Sequence, residues 1–515
     1  VPLARRVATI VGGACLPGGD CAGTLTAESP PAVSKQPPET SAPPPAVVAA
    51  EPPPATVWAA VKEAVLGAHR HDYTKGPIGR SLLLLAVPMV LEVALESVFA
   101  VVNVFWVSSL GADAVATVGL TEAMFSTIYA LGMGLGIGAT ATVARRIGEQ
   151  NPDGAARAAV QAILLGILIA VPIAVFGGVF APQLLAAMGA SDAVIRGGGS
   201  YARIMFIGNF VILLLFLINA IFRGAGDAAI AMRSLWLANA CNLLLDPLLI
   251  LGLGPCPRLG VTGAGLATTI GRGVGVLYQF HRLAGAGKRF AIRRQHLRPE
   301  PQLLRQLLRL SGTGILQILI ATTSWIGLVR ILSTFGSQVV AGYTVAIRIV
   351  IFALLPSWGI ANAAATMVGQ ALGARKPERA ASAVWRAGFY NLCFLSAVGA
   401  LFVLLAPVLV RIFTADEQVL RIGTAGLRII SAGFPCYAYG MVLTNSFNGA
   451  GDTRTPTWIN LCCFWLWEIP LAWLLAKPAG LGPDGVFIAV TVAFSLLALV
   501  SAVAFRRGSW KLERL

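Results

Sequence analysis

The sequence predicts an all-α membrane protein, with twelve transmembrane helices in two parallel-repeat six-helix lobes around a central cavity. Three observations carry this expectation. First, 56% of the 515 residues are hydrophobic and only 12% are charged, with a mean hydropathy of +0.76. A water-soluble domain cannot hide that much apolar surface, so lipid must be the solvent for most of the chain. Second, the apolar residues fall in runs near the ~20 residues that cross a bilayer. Third, the chain echoes itself at an offset of 225 residues. Gly111 returns as Gly336, Gly148 as Gly373, Pro152 as Pro377 and Arg203 as Arg428, and Phe222-Arg-Gly-Ala-Gly-Asp227 returns as Phe447-Asn-Gly-Ala-Gly-Asp452. Six spans per copy is an even number, so both copies enter the membrane from the same side and an axis along the membrane normal relates them. Internal repeats of this kind mark secondary transporters, whose sites lie at the repeat interface.

Taken in order, residues 1–56 are rich in Pro and Ala and are expected to be a disordered tail. Arg5-Arg6 ahead of Val7–Val11 has the order of a signal sequence, but its apolar core is too short. Residues 57–77 contain an amphipathic stretch that can lie at the membrane surface or serve as a plain linker. The first lobe occupies 78–281, with spans at 82–108, 114–140, 156–180, 198–222, 231–252 and 260–281. A basic linker follows at 282–304. The second lobe occupies 305–508, with spans at 305–332, 339–363, 381–405, 421–446, 456–476 and 484–505, and 509–515 form a tail.

Lys and Arg set the orientation. The net charge is +16, but the basic residues gather beside even-numbered spans: Arg145-Arg146, the linker cluster from Arg282 to Arg309, Arg375-Lys376 and Arg506-Arg507. That distribution is a topology signal rather than a nucleic-acid surface. It places both termini in the cytoplasm of a multi-pass plasma (inner) membrane protein. Nucleic acid is not an expected partner. Membrane lipids and small organic molecules are, and the chain is expected to be a monomer.

Several motifs read as structural. The Gly-Ala-Gly-Asp turns close the fourth and tenth spans, where glycine tolerates a left-handed helix stop and Asp can cap the next helix. Gly132, Gly134, Gly136 and Gly138 alternate inside the second span with no strand before them, so close helix packing fits better than a nucleotide loop. The eight cysteines show no metal spacing and are expected to be small buried hydrophobes. No nucleotide motif, nucleophile elbow or metal-ligand spacing stands in the loops, so an enzyme is not expected and no cofactor beyond a coupling ion is implied.

Intramembrane ionisable groups carry more information. Each costs ~2.5–3.5 kcal/mol at mid-helix on the insertion scale, so each is kept for pairing or function. Glu92, Glu96, Phe99 and Asn103 share one face of the first span and should line a cavity. Glu122 in the second span and Asp246 in the fifth are further candidates. Asn242 precedes Asp246 by one turn and can share a cation or a hydrogen bond with it, and Pro247 loosens the helix there. For each carboxylate the alternative is a buried structural pair or an interfacial position. In the second copy Glu92 maps to Gln317, while Glu96 and Glu122 map to Ala321 and Ile347. Arg330 and Arg348 are new there. Glu468, in Trp467-Glu-Ile-Pro470, lies near the counterpart of Asp246-Pro247 after a three-residue slip, and an Arg348–Glu468 pair is one option. Trp325, Tyr343, Trp358, Tyr437, Tyr439, Trp465 and Trp467 could hold flat organic cations, or serve as interface belt and core.

These pieces together resemble the multidrug and toxic compound extrusion (MATE) family, prokaryotic type. The matching residues are Leu85-Ala-Val-Pro-Met89, Ser109-Leu-Gly-Ala-Asp113, both Gly-Ala-Gly-Asp turns, Asn242-Leu-Leu-Leu-Asp-Pro247 and Gly260-Val-Thr-Gly-Ala-Gly-Leu-Ala-Thr268. The resemblance runs from about residue 78 to 508 and implies two six-helix lobes in a V. It implies export of organic, often cationic, drugs or toxic compounds in exchange for H⁺ or Na⁺. It also implies that Asn242, Asp246 and Thr268 belong to the coupling-ion site of the first lobe, with Asp246 and Asn242 able to take Na⁺. Pro88 would sit where the first helix bends. Asn103 departs from the pattern, because many relatives carry Asp there and an amide cannot titrate. A proton cycle would then use Asp246 with Glu92 or Glu96, or coupling would be altered or lost. The expected substrate cavity is lined by Glu122, Gln317, Trp325, Arg330, Arg348, Tyr343 and Glu468. The alternatives are a lipid-linked oligosaccharide flippase of the same superfamily and a non-transporting membrane receptor or scaffold.

Overall fold

Fifteen α-helices account for the architecture of the computed structural model, which describes residues 57–67, 71–254, 256–285, 290–513 and 515. The tail at 1–56 lies outside the described residues. Helix α1 (Val57–Leu66) precedes α2 (Ile78–Ser108), α3 (Ala112–Gly148), α4 (Pro152–Ala187), α5 (Asp192–Ala225), α6 (Ala228–Leu251) and α7 (Val261–Ala284). The second lobe comprises α8 (Pro301–Leu332), α9 (Ser337–Gly373), α10 (Pro377–Arg411), α11 (Glu417–Ala432), α12 (Phe434–Ala450), α13 (Arg454–Asn460), α14 (Ile469–Ala476) and α15 (Pro483–Arg507). Among the described residues there is no β-strand.

Among the described residues, ten helical segments are long and apolar enough to cross a bilayer. The other two expected spans differ for identifiable reasons. Helix α7 carries Arg272 and Gln279 buried on its inner face, which lowers its hydropathy. The tenth span breaks at Gly433 into α11 and α12, of 16 and 17 residues. The eleventh runs through α13, a π-helix at Leu461–Glu468, and α14.

The 225-residue echo is an echo of geometry. Arg203 Nε donates to the Gly178 carbonyl and Arg428 Nε to that of Val403, both at 3.1 Å and both in register. Gly226 and Gly451 close the Gly-Ala-Gly-Asp turns with φ of 86° and 90°. Asp452 caps α13 by accepting from the Thr455 amide at 3.0 Å, whereas Asp227 holds the N-cap position of α6 without a side-chain cap bond. The expected three-residue slip is in a loop: Gly252 to Gly260 on one side, Lys477 to Gly482 on the other, with the two glycines that restart the chain at φ 56° and 58°. Glu468 is therefore truly three residues below the register partner of Asp246.

The lobes are sealed together at the end that bears the basic loops. The first half of α2 packs into the second-lobe core through Leu82, Leu84, Leu85 and Met89, and Leu307 of α8 packs into the first-lobe core in return. The far ends stay at home, with Val107 in the first lobe and Leu328 and Leu332 in the second. Small residues make the seal possible. Gly134 and Gly138 face Ile315 and Ser311 of α8, while Gly132 and Gly136 face Leu213 and Ala220 of α5. Gly148 lies so close to Gln370, and Gly373 to Arg145, that neither has room for a Cβ. Gln370 Nε2 donates to the Gly224 carbonyl at 2.9 Å. Arg145, expected in a loop, is helical and buried, and donates to the carbonyls of Ala450 at 3.2 Å and Glu513 at 2.7 Å.

The segment before α2 straps across this seal. Helix α1 buries Ala60 and Ala64 and leaves Trp58 exposed, and Arg80 pairs with Glu63 at 2.9 Å. Tyr73 donates to the Gly226 carbonyl of the first lobe at 3.2 Å. From the second lobe, Arg379 donates to the carbonyls of Tyr73, Gly76 and Lys75, and Lys376 to that of Thr74. Partial burial pushes the Asp72 carboxyl up, but hydrogen bonds from Thr74 and the Lys75 charge outweigh this and hold it below the usual carboxylate range. The described part of the linker is anchored too: Gln161 donates to the Arg298 carbonyl and accepts from the Glu300 amide, and His296 lies 3.2 Å from Asp153.

The cysteines depart from expectation. Among the described residues all are free, but only Cys463 is buried; Cys393, Cys436 and Cys462 are exposed. A lipid-facing surface is itself apolar, so a small hydrophobe is as acceptable outside as inside.

Candidate functional site

A polar ladder runs through the first lobe where α2, α5, α6 and α7 meet. Glu92 Oε1 accepts from Asn219 at 3.0 Å and from Arg223 at 3.2 Å. Asn219 Oδ1 in turn accepts from Ser234 at 2.9 Å and Gln279 at 2.6 Å. One turn along α2, Glu96 accepts from Asn239 and Arg272, both at 3.1 Å. Arg272 sits 6.0 Å from the Phe216 ring centroid. The next rung is Asn242, whose amide donates to Thr268 Oγ1 at 3.1 Å. Asp246 follows one turn further along the same face of α6.

Local sequence explains the placement. Asn239, Asn242 and Asp246 recur at helical spacing on α6, and Thr268 and Arg272 do so on the antiparallel α7. Gly271 and Gly275 let α7 approach the Ala238 backbone closely enough for these groups to meet.

The acids differ in their partners. Glu92 and Glu96 each hold an arginine, Arg223 at 3.2 Å and Arg272 at 3.1 Å. Asp246 is fully buried, and neither of its oxygens has a hydrogen-bond partner; the Asn242 Oδ1 is likewise unpartnered. Three buried acceptors with no donor form a set that a proton or a small hard cation would satisfy. Asp246 and Asn242 would hold such an ion, with Thr268 fixing the Asn242 amide. Asn103 is half-buried on α2 and makes no hydrogen bond with another described residue.

The structure divides the expected cavity residues. Glu122, Arg330 and Arg348 are exposed and Trp325 is partly exposed. Gln317, Tyr343 and Glu468 are instead buried in the second lobe. Tyr343 stacks on Phe487 at 6.3 Å and Tyr437 on Phe494 at 4.1 Å, while Trp465 and Trp467 lie on exposed faces. The aromatics therefore form core and outer belt rather than one cage. Arg348 makes no ion pair with Glu468 among the described residues; its exposure and the burial of Glu468 keep them apart.

Sequence reasoning missed Asn219, Arg223, Asn239, Arg272 and Gln279. Arg272 was the accessible signal, because an arginine in mid-span carries the same insertion cost that singled out the acids.

A bundle of membrane-crossing helices with a duplicated six-helix plan and a buried ionisable ladder defines a membrane transporter, not an enzyme. Its family follows from comparison. The MatE family model matches twice, at residues 88–248 and 315–474, once in each lobe, and the chain belongs to that family. The chain is 25% identical over 446 residues to the probable multidrug resistance protein YoeA of Bacillus subtilis, covering 86% of this chain and 96% of that protein. It is 26% identical over 449 residues to the probable multidrug resistance protein NorM of Thermotoga maritima, covering 84% and 93%. Among solved structures, the outward-facing conformation of a multidrug resistance MATE family transporter superposes with a TM-score of 0.78 at 27% identity, over 85% of this chain and 97% of that one.

Proposed function

We propose that the chain is a secondary antiporter that exports organic, cationic or amphipathic, drugs or toxic compounds in exchange for H⁺ or Na⁺. The observation that carries this reading is the unpartnered acceptor set at Asp246 and Asn242, placed at the end of a ladder whose other acids are neutralised by arginine. An ion arriving from the outer side satisfies Asp246, reshapes the first lobe and releases substrate; opening of the seal toward the cytoplasm then discharges the ion. The basic loops support a cytoplasmic position for the sealed end and for both termini. The protein works as a monomer in the plasma membrane, with substrate meeting Glu122 and Trp325 in the cleft.

Arg330 and Arg348, exposed on second-lobe helices, favour one other reading, a flippase for an anionic lipid-linked oligosaccharide. Flux of a cationic dye in proteoliposomes, with pH and Na⁺ gradients imposed separately, tests the proposal. Gradient-driven dye movement is expected. Movement only of a lipid-linked anion would favour the flippase, and no flux of either would leave a receptor or scaffold.

A further inference from the structure

Glu468 is the second buried membrane acid without a cation. It is 1% exposed, its Oε2 has no hydrogen-bond partner, and among the described residues it forms no ion pair. It closes the π-helical stretch Leu461–Glu468, two residues before Pro470. π-Helical turns are uncommon and recur at functional positions. This one holds more residues per turn than an α-helix, so it changes which side chains face inward.

Contacts with neighbouring helices define its surroundings. Trp465 Nε1 donates to the Ile320 carbonyl of α8 at 3.0 Å, and Ile469 packs on Gly327, which sets Glu468 at the level of the buried Ser324. Tyr343 on α9, Tyr437 on α12 and Cys463 in its own segment lie within its electrostatic reach. Charged residues on the helices packed around it stand off. On α8 the charges are Arg305 and Arg309 near the start and the exposed Arg330 near the end; on α13 Arg454 opens the helix. Helix α14 has none, and α15 carries only Asp484 and Arg506-Arg507 at its ends. On α9 the charge is the exposed Arg348. The one other acid on the helices named, Asp484, stands at the start of α15, and a lone carboxylate suits a proton better than a metal ion needing several oxygen ligands.

An ionised carboxylate buried in this way, with no cation beside it, is strongly disfavoured. We infer that Glu468 is a second proton-carrying site, in the second lobe, counterpart to Asp246 and displaced from it by three residues. Its carboxylate takes up one proton in one conformation and releases it in the other, with no other bond made or broken. This rests on the antiporter reading and adds a coupled charge to it.

The test uses purified full-length protein in proteoliposomes with the membrane potential clamped at zero. The substrate ratio at which flux reverses is measured against the imposed pH difference. Wild type should show a steeper dependence than Glu468→Gln, by one proton per substrate, and Glu468→Asp should restore it. An identical dependence in wild type and Glu468→Gln would overturn the inference while leaving the antiporter reading intact. Absence of pH-driven flux in wild type would also overturn the inference, and absence of flux under a Na⁺ gradient as well would sink the antiporter reading itself. If Glu468→Gln does not fold, a hydrophobic carbodiimide, which attacks protonated carboxyls, is applied to wild type and the adduct located by mass spectrometry. Labelling of Glu468 that falls as pH rises supports the site, and none at any pH refutes it.

Discussion

The seal between the lobes predicts what a single methyl group should do at Gly148. A Cβ there would meet not only the Gln370 carbonyl oxygen but also its carbon at 2.7 Å and Cα at 2.8 Å. Carbon atoms prefer 3.5–4.0 Å, so the two backbones must retreat by about 1 Å. Both are helical and buried, and neither is the tip of a flexible side chain. Overpacking of this kind costs ~1–3 kcal/mol. Because the clash exists only while the lobes are closed at this end, Gly148→Ala should shift the equilibrium toward the open form by roughly 5–150-fold. The assay is labelling by a water-soluble maleimide at Ser311→Cys, in a variant with its native cysteines replaced. Ser311 is 1% exposed and lies against Gly138 inside the seal. Labelling should accelerate by that factor in Gly148→Ala. It should stay constant in Gly119→Ala, on the same helix, where no atom lies within 4 Å of the added methyl. A folded Gly148→Ala protein with unchanged labelling would refute the argument.

Other consequences follow from the ladder and the strap. Removing Glu96 leaves Arg272 buried without its acid and should destabilise by ~3–5 kcal/mol. In a Glu96→Gln/Arg272→Gln cycle the double variant should recover part of this, and additive single effects in chemical denaturation would contradict the pairing. Asp246→Asn removes an acid with no partner and should leave the thermal midpoint unchanged or raised, whereas Glu92→Gln should lower it. Arg379→Ala deletes three bonds to the strap and should speed proteolysis at 71–77; equal rates would show that the strap is held by other contacts. The depressed Asp72 carboxyl contributes stability that is present above its unfolded pKa and lost as pH falls through the lower folded value. The Thr74 amide resonance should therefore move at acid pH in wild type and not in Asp72→Asn.

The duplicated plan was legible because apolar run length and the 225-residue offset are both properties of the linear chain. Local spacing likewise brought Glu92 and Glu96 onto one face and Asn242 beside Asp246. What was not legible is long-range pairing. Arg223 and Arg272 lie 131 and 176 residues from the acids they neutralise, and no local pattern links them. That pairing reverses their chemical meaning: Glu92 and Glu96, read as titrating candidates, are tied to arginines, and Asp246 alone in the first-lobe ladder is a buried acid without a partner. The second lobe misled for a related reason. Charge and aromatic content suggested a lining for the cavity, but the π-helix turned Glu468 inward, and Tyr343 and Tyr437 were absorbed into stacks.

The central claim is that Asp246 carries the coupling ion. The most direct measurement compares wild type and Asp246→Asn in proteoliposomes, for uphill dye transport under an imposed pH or Na⁺ gradient and for dye binding in detergent. The account predicts that Asp246→Asn still binds dye but no longer moves it uphill under either gradient. Uphill transport at the wild-type rate in the folded variant would contradict it.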